Sequence, residues 1–141
     1  MTLPLALPAV VPAQQPASPR IRIVVYKLTA GTPKSERFAA DVGRALAHAL
    51  ARDSMFLLMS YPGAQGDRSG LRPSAQYAVL GGVVVTGLGA RVDLRIVDIA
   101  NVKLLALQKL AVPDALAAYA AGDTGEQLAK LVHQHFAAAR Q

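Results

Sequence analysis

The stretch Tyr77-Ala78-Val79-Leu80-Gly81-Gly82-Val83-Val84-Val85-Thr86-Gly87-Leu88-Gly89-Ala90-Arg91-Val92-Asp93-Leu94-Arg95-Ile96-Val97-Asp98 decides how this chain folds. Tyr77 to Thr86 is an apolar run rich in β-branched side chains, the pattern of a strand that is central in a sheet or covered on both faces. Gly87-Leu88-Gly89-Ala90 reads as a short loop in which glycine supplies the positive φ of a tight hairpin. From Arg91 to Ile96 the chain alternates. Arg91, Asp93 and Arg95 project to one side, and Val92, Leu94 and Ile96 to the other. A period of two marks a strand with one wet face and one buried face. Asp98 to Val102 reads as a second turn, with Asp98 capping it and Asn101 as its left-handed residue. Lys103 to Val112 returns as a further strand, and Pro113 ends it.

Outward from this meander, the segment from Arg20 to Leu28 predicts a first strand around Ile21, Ile23, Val24 and Val25. Thr29 to Thr32 reads as a turn. Thr32 is then a good N-cap, and Pro33 stands at the first helical position, where its missing N–H costs nothing. Phe38, Val42, Ala45, Leu46, Ala49 and Leu50 keep the 3.6-residue period, predicting a helix from Pro33 to Arg52 with that stripe buried. Gly43, inside it, is expected to let the helix approach the sheet. Met55 to Tyr61 predicts a strand parallel to the first, since a helical crossover of this length is right-handed and joins parallel strands. Pro62 to Pro73 reads as a surface loop. It supplies Asp67, Arg68 and Arg72 as candidate partner-binding residues, because binding groups concentrate on loops.

Beyond Pro113, Asp114 to Ala121 reads as a short helix ending before Gly122. Asp123-Thr124-Gly125-Glu126 then resembles a capping box that opens a last helix running to Arg140. Its buried stripe is Leu128, Leu131, Val132, His135 and Phe136. The whole reads as one α/β (α+β) domain over residues 20–141, in the order β-α-β-β-β-β-α. It predicts a mixed sheet of about five strands with two main helices packed on one face. Residues 1–19, with Pro4, Pro8 and Pro12 inside an apolar run, stand outside that core. They read as a signal-peptide remnant, with Val11-Pro12-Ala13 near a cleavage site, or as a disordered proline-rich tail.

At 141 residues the chain can bury a core without metal or disulfide staples, and it has no cysteine for thiolate zinc sites or thiol catalysis. No apolar run reaches the ~20 residues that span a bilayer. The net charge of +6 is uneven: residues 20–72 hold nine Lys or Arg against four Asp or Glu, and residues 73–141 hold six against five. Lys34, Arg37, Arg44 and Arg52 fall on one helix face with Asp41 and His48 between them. That stripe reads as a solvated face with an Arg37–Asp41 pair, or as a site for nucleic acid or anionic lipid. An aromatic content of 5%, not interleaved with the basic residues, speaks against nucleic acid as a partner.

No catalytic, cofactor-binding or metal-ligating constellation is present. Gly87-Leu88-Gly89 lacks the third glycine and the following helix of a dinucleotide loop. His133 and His135 stand two apart on a helix and point to different faces, and Asp93 has no acid–base partner in the sequence. The expectation is that the protein is not an enzyme; a pocket gathering Asp93 with His48 or His135 would revive that class.

The segments Tyr77-Ala78-Val79-Leu80-Gly81-Gly82-Val83, Gly89-Ala90-Arg91-Val92 and Arg95-Ile96-Val97-Asp98 resemble a pattern in a group of bacterial envelope proteins. That group comprises the amino-terminal domain of TolB, FlgO and the CsgG-like lipoproteins. In it a strand of the form Ala-x-Tyr-x-[Val/Leu]-x-Gly precedes Gly-x-x-Arg-Val, a Leu-[Val/Ile]-Asp and a Thr-Gly turn. Here Ile99-Ala100-Asn101-Val102 replaces that turn. The motif covers residues 76–107, and the element order covers about 20–136. The resemblance implies a non-enzymatic, exported domain, periplasmic or associated with the outer membrane, whose partners are other envelope proteins. A homo-oligomer and peripheral contact with a membrane are compatible with it.

Overall fold

The computed structural model describes residues 19–59 and 75–139. The tail before Pro19, the end of the strand read to Tyr61, and the loop carrying Asp67, Arg68 and Arg72 lie outside the described residues. The elements are β1 (Ile21–Val25), β2 (Thr29–Ala30), α1 (Pro33–Arg52), β3 (Phe56–Leu58), β4 (Tyr77–Thr86), β5 (Gly89–Asp98), β6 (Lys103–Val112) and α2 (Ala120–Ala139). The sheet runs β3-β1-β4-β5-β6, with β2 also on β4. The β3–β1 and β1–β4 pairings are parallel, and β4–β5 and β5–β6 are antiparallel. Both helices pack on one face, so the expected mixed sheet with one helical layer is the observed fold.

The meander forms as its pattern requires. Val92, Leu94 and Ile96 are buried, facing Val83, Gly81 and Val79 on β4. Above them lie Phe38, Val42, Leu46 and Leu50 from α1 and Leu128, Val132 and Phe136 from α2. The ring of Phe136 sits 5.6 Å from Phe56 and 4.9 Å from Tyr77, centroid to centroid, closing the core at one end. At the other end Thr32 caps α1 by accepting from the Ser35 N–H at 3.2 Å. The buried Ser35 hydroxyl accepts from the Val85 N–H at 3.0 Å, a donor of β4 that lies past the end of β2. One side chain thus ties the first turn of the helix to the sheet.

Local expectations are corrected at several points. Thr29 and Ala30 form a strand, not a turn. Five residues lie between Ile23 and Thr29 while four lie between their partners Tyr77 and Gly82, so β1 and β2 form one bent strand with an extra residue between them. The buried Leu28 fills that bend and lies over Gly81, where an added Cβ would come within 3.2 Å of it. Gly89 and Ala90 pair within β5, leaving Gly87 and Leu88 as the turn; Gly87 has φ +61°. In the next turn the left-handed residue is Val102 (φ 50°), not Asn101. Asn101 instead donates to Asp98 from its backbone and side-chain nitrogens, and the positive φ falls on the residue before the ladder resumes.

The last correction concerns the final helix, which begins at Ala120 and runs through Gly122 and Gly125. The segment before it is a series of turns, with Ala115 N–H donating to the Leu88 carbonyl at 2.7 Å. Glycine normally weakens a helix interior. Gly125, however, is where α2 crosses α1: an added Cβ would stand 2.7 Å from the Leu46 nitrogen. Gly43 has no such role, since its nearest neighbour would be Leu28 at an ordinary 3.8 Å.

Two substitutions test this account. Gly125→Ala should lower the unfolding free energy by about 1–3 kcal/mol in urea titrations, because a backbone must move to admit the methyl group. Val102→Asn should raise it by about 0.5–1 kcal/mol, since asparagine tolerates the left-handed conformation and valine does not. An unchanged midpoint would refute either one.

Candidate interaction surfaces

The basic stripe expected on the first helix is present. Lys34, Arg37, Arg44 and Arg52 are all exposed on the outer side of α1. Its pairing differs from expectation: Asp41 binds Arg44 one turn ahead rather than Arg37. Arg52 reaches Glu126 of α2 at 3.9 Å. Two of the four cations are therefore partly neutralised in place, which leaves Lys34 and Arg37 near the helix start. A stripe of this kind provides a weak and salt-sensitive surface.

The helix ends at a junction that pattern reading missed. Asp53 donates its backbone N–H to the Leu50 carbonyl at 3.1 Å and accepts from the Met55 N–H at 2.9 Å. Its second oxygen lies 2.6 Å from His133 Nδ1 on α2. His133 also meets Phe56 edge to face, at 6.4 Å. One carboxylate thus joins the end of α1, the start of β3 and the middle of α2. The other two histidines stand apart: His48 is on the exposed face of α1, and His135 leans on Phe136 with ring centroids 5.0 Å apart. Asp93 lies on the opposite face of the sheet, so no acid–base group forms from these residues. Among the described residues no three His, Asp or Glu side chains gather as a metal site, and no helix is long and apolar enough to cross a membrane.

The side of the sheet away from the helices has two parts. Around β1 and the start of β4, Val24, Ala75 and Ala78 are buried in a small second cluster bordered by Tyr26, Met59, Leu80 and Ile99. Over β4, β5 and β6 no described residue covers the face. Arg91, Asp93 and Arg95 occupy it as their alternation predicted, with Arg95 Nε 4.0 Å from Asp93. Beside them stand Val84, 47% exposed, Leu104, 52%, and Leu107, 50%. A groove of about 450 Å³ crosses this face, lined by Val84, Thr86, Arg91, Asp93, Lys109 and Ala111. The sequence held a signal for it, because β4 and β6 carry apolar side chains at both parities.

The two edges of the sheet are unequal. β3 contributes three residues, whereas β6 contributes ten and has no strand beyond it among the described residues. A long unpaired edge presents backbone donors and acceptors to any incoming strand. A bulge between the Ile96–Ala106 and Val97–Leu104 pairs interrupts its ladder, and Lys103 and Lys109 are exposed along it.

No protein-family model matches the sequence, and no curated protein matches it. Solved structures do share the fold. One is TolB from Acinetobacter baumannii, at 16% identity and TM-score 0.60, over 84% of this chain and 29% of that one. A second is the PelC dodecamer from Paraburkholderia phytofirmans, at 16% identity and TM-score 0.55, over 84% of this chain and 90% of that one. A third is a lipoprotein from Neisseria meningitidis, at 15% identity and TM-score 0.52, over 80% and 94%. This chain spans less than a third of the TolB chain it matches. At these identities the likeness is one of fold, the fold that the meander motif pointed to.

The β5–β6 turn carries a pH signature. The Asn101 side-chain amide donates to Asp98 at 2.8 Å and its backbone N–H at 3.2 Å, and together with Lys103 these hold the carboxyl below its ordinary value of 3.8. A lowered folded-state pKa gives stability that is present above the unfolded value and lost as pH falls through the folded one. Asp98→Asn should therefore be less stable than the parent at neutral pH, with the gap closing as pH falls below 3.8 and through the folded-state value. Urea midpoints measured across that range check it; a gap that stays constant in acid would contradict it.

Proposed function

We propose that this chain is a non-enzymatic protein-interaction module of a bacterial cell envelope, periplasmic or associated with the outer membrane. The observation that carries this reading is the ten-residue β6 edge, unpaired among the described residues, on a sheet whose fold TolB shares. A sheet edge binds by adding a strand, with main-chain hydrogen bonds for affinity and alternate side chains for selectivity. The fold's occurrence in TolB, in a lipoprotein and in a PelC dodecamer supports an envelope setting and contacts with other proteins or other copies. The finer placement beside FlgO or the CsgG-like lipoproteins rests on the motif in residues 76–107 alone. Asp67, Arg68 and Arg72 remain candidates for a second contact on the Pro62–Pro73 loop.

The test is site-specific photo-crosslinking in bacterial cells producing the exported protein. The crosslinker is placed in turn at Lys103 and Lys109 on β6 and at Lys34 and Arg37 on α1. Crosslinks to protein, whether a second copy or a partner, are expected from the β6 positions and should survive added salt. Adducts confined to α1 and abolished by salt would favour the charge-driven reading, in which that helix meets lipid or nucleic acid.

A further inference from the structure

Val102, in the turn between β5 and β6, breaks two rules at once. Its φ is 50°, in the left-handed region, and it is 84% exposed, the highest value for a large apolar side chain among the described residues. A β-branched residue at positive φ is an outlier, and an apolar one gains nothing from water. Asparagine would suit both the angle and the solvent. Strained positions of this kind gather at functional sites. The turn behind Val102 is firm, because Asp98 accepts from both nitrogens of Asn101. Lys103 follows, and Leu104 beyond it is 52% exposed.

The ladder shows what shares this end of the sheet. Ile23, Tyr77, Asp98 and Lys103 are register partners in one cross-strand row, which spans three strand spacings, about 14 Å. One residue further out, the Gln76 N–H donates to the Arg22 carbonyl at 2.8 Å, and the Ile99 N–H donates to the Gln76 carbonyl at 3.1 Å. Arg20, Arg22 and Lys103 are exposed at this end. Its carboxylates, Asp53 and Asp98, are already hydrogen-bonded within the fold, to His133 and to Asn101. Cations beside an apolar tip fit a surface that is anionic at its face and apolar beneath, which is an anionic bilayer. A second copy would instead set cation against cation. The chain also enters the domain here from Met1–Ser18, which carries no charged side chain and holds Leu3, Leu5, Leu7, Val10 and Val11. The far end of the sheet exposes Leu88, Leu116 and Tyr119, but Asp114 and Asp123 stand beside them and would repel such a surface.

We propose that the end of the domain formed by the β5–β6 turn and the start of β1 docks on an anionic bilayer. Val102 enters the headgroup region, and Arg20, Arg22 and Lys103 draw it to lipid phosphates. This goes beyond the interaction-module reading, since it uses the end of the sheet and leaves the strand edge of β6 to protein partners.

The chain has no tryptophan, so one placed by substitution reports alone. Full-length Val102→Trp and Leu88→Trp are titrated with vesicles of phosphatidylglycerol and phosphatidylcholine, and with phosphatidylcholine alone. The emission of Val102→Trp should move to shorter wavelength with the anionic vesicles and be quenched by brominated lipid, while Leu88→Trp does neither. In co-sedimentation the unsubstituted chain should favour the anionic vesicles by about tenfold or more. Arg20→Glu should lower that binding by about tenfold, whereas Arg44→Glu on the outer side of α1 leaves it unchanged. Val102→Asn should lower it several-fold although it is the more stable protein, so the loss is not a loss of fold. Circular dichroism checks each variant, and if Val102→Trp does not fold, Val102→Asn and Arg20→Glu decide. Equal spectral changes at positions 102 and 88, no preference for the anionic vesicles, or a loss confined to Arg44→Glu overturns the proposal. Protein crosslinks from β6 without vesicle binding would leave the module reading standing and remove only this surface. Vesicle binding through Val102 without protein crosslinks would do the reverse.

Discussion

Val92, Leu94 and Ile96 belong to a buried sheet face that must be kept from water from edge to edge, and neither helix is wide enough to do it alone. A helix with its side chains covers about two strands, and the sheet has five positions across. The two helices must therefore lie side by side, close enough to leave no gap above β5. Gly125 makes that spacing available by letting α2 approach the backbone of α1 at Leu46. The tie between Asp53 and His133 fixes the same pair of helices further along. The placement of the open face follows, because a sheet whose one side is sealed by both helices has no further element in the described chain to cover the other.

Much of this was legible in the sequence because the relevant signals are local. Thr32 and Pro33 announce the start of α1, and the 3.6-residue stripe from Phe38 to Leu50 says which side is buried. The alternation from Arg91 to Ile96 fixes the faces of β5, and both ends of β6 were readable from the Asp98–Val102 turn and Pro113. What escaped depends on contacts between distant residues. Gly122 and Gly125 look like a helix boundary until α1 is placed against Gly125. Asp53 and His133 stand 80 residues apart, and no periodicity links them. Thr29 and Ala30 become a strand only because β4 is there to pair with them.

The surfaces show the same division. The outer face of α1 could be read from spacing, although its pairing could not, since Asp41 had a choice between Arg37 and Arg44 and took the one ahead. The apolar content of β4 was legible as a strand fit for cover on both faces. The structure gives such cover to Ala78 but leaves Val84 half in water. That difference between what the side chains suit and what they receive gives the open face its interest. It arises from residue types at known positions, independently of any relative.

The inequality of the two sheet edges limits the symmetry available to copies of this chain. A contact of β6 with β6 is its own mate across a two-fold axis, so it closes at two chains and consumes the one long edge among the described residues. Extending the sheet head to tail would require β3 to receive β6, and three residues offer too little backbone for ten. With the edges that the described residues offer, a closed ring of many subunits would draw on side-chain surfaces, with the strand ladder of each subunit ending at its own boundary.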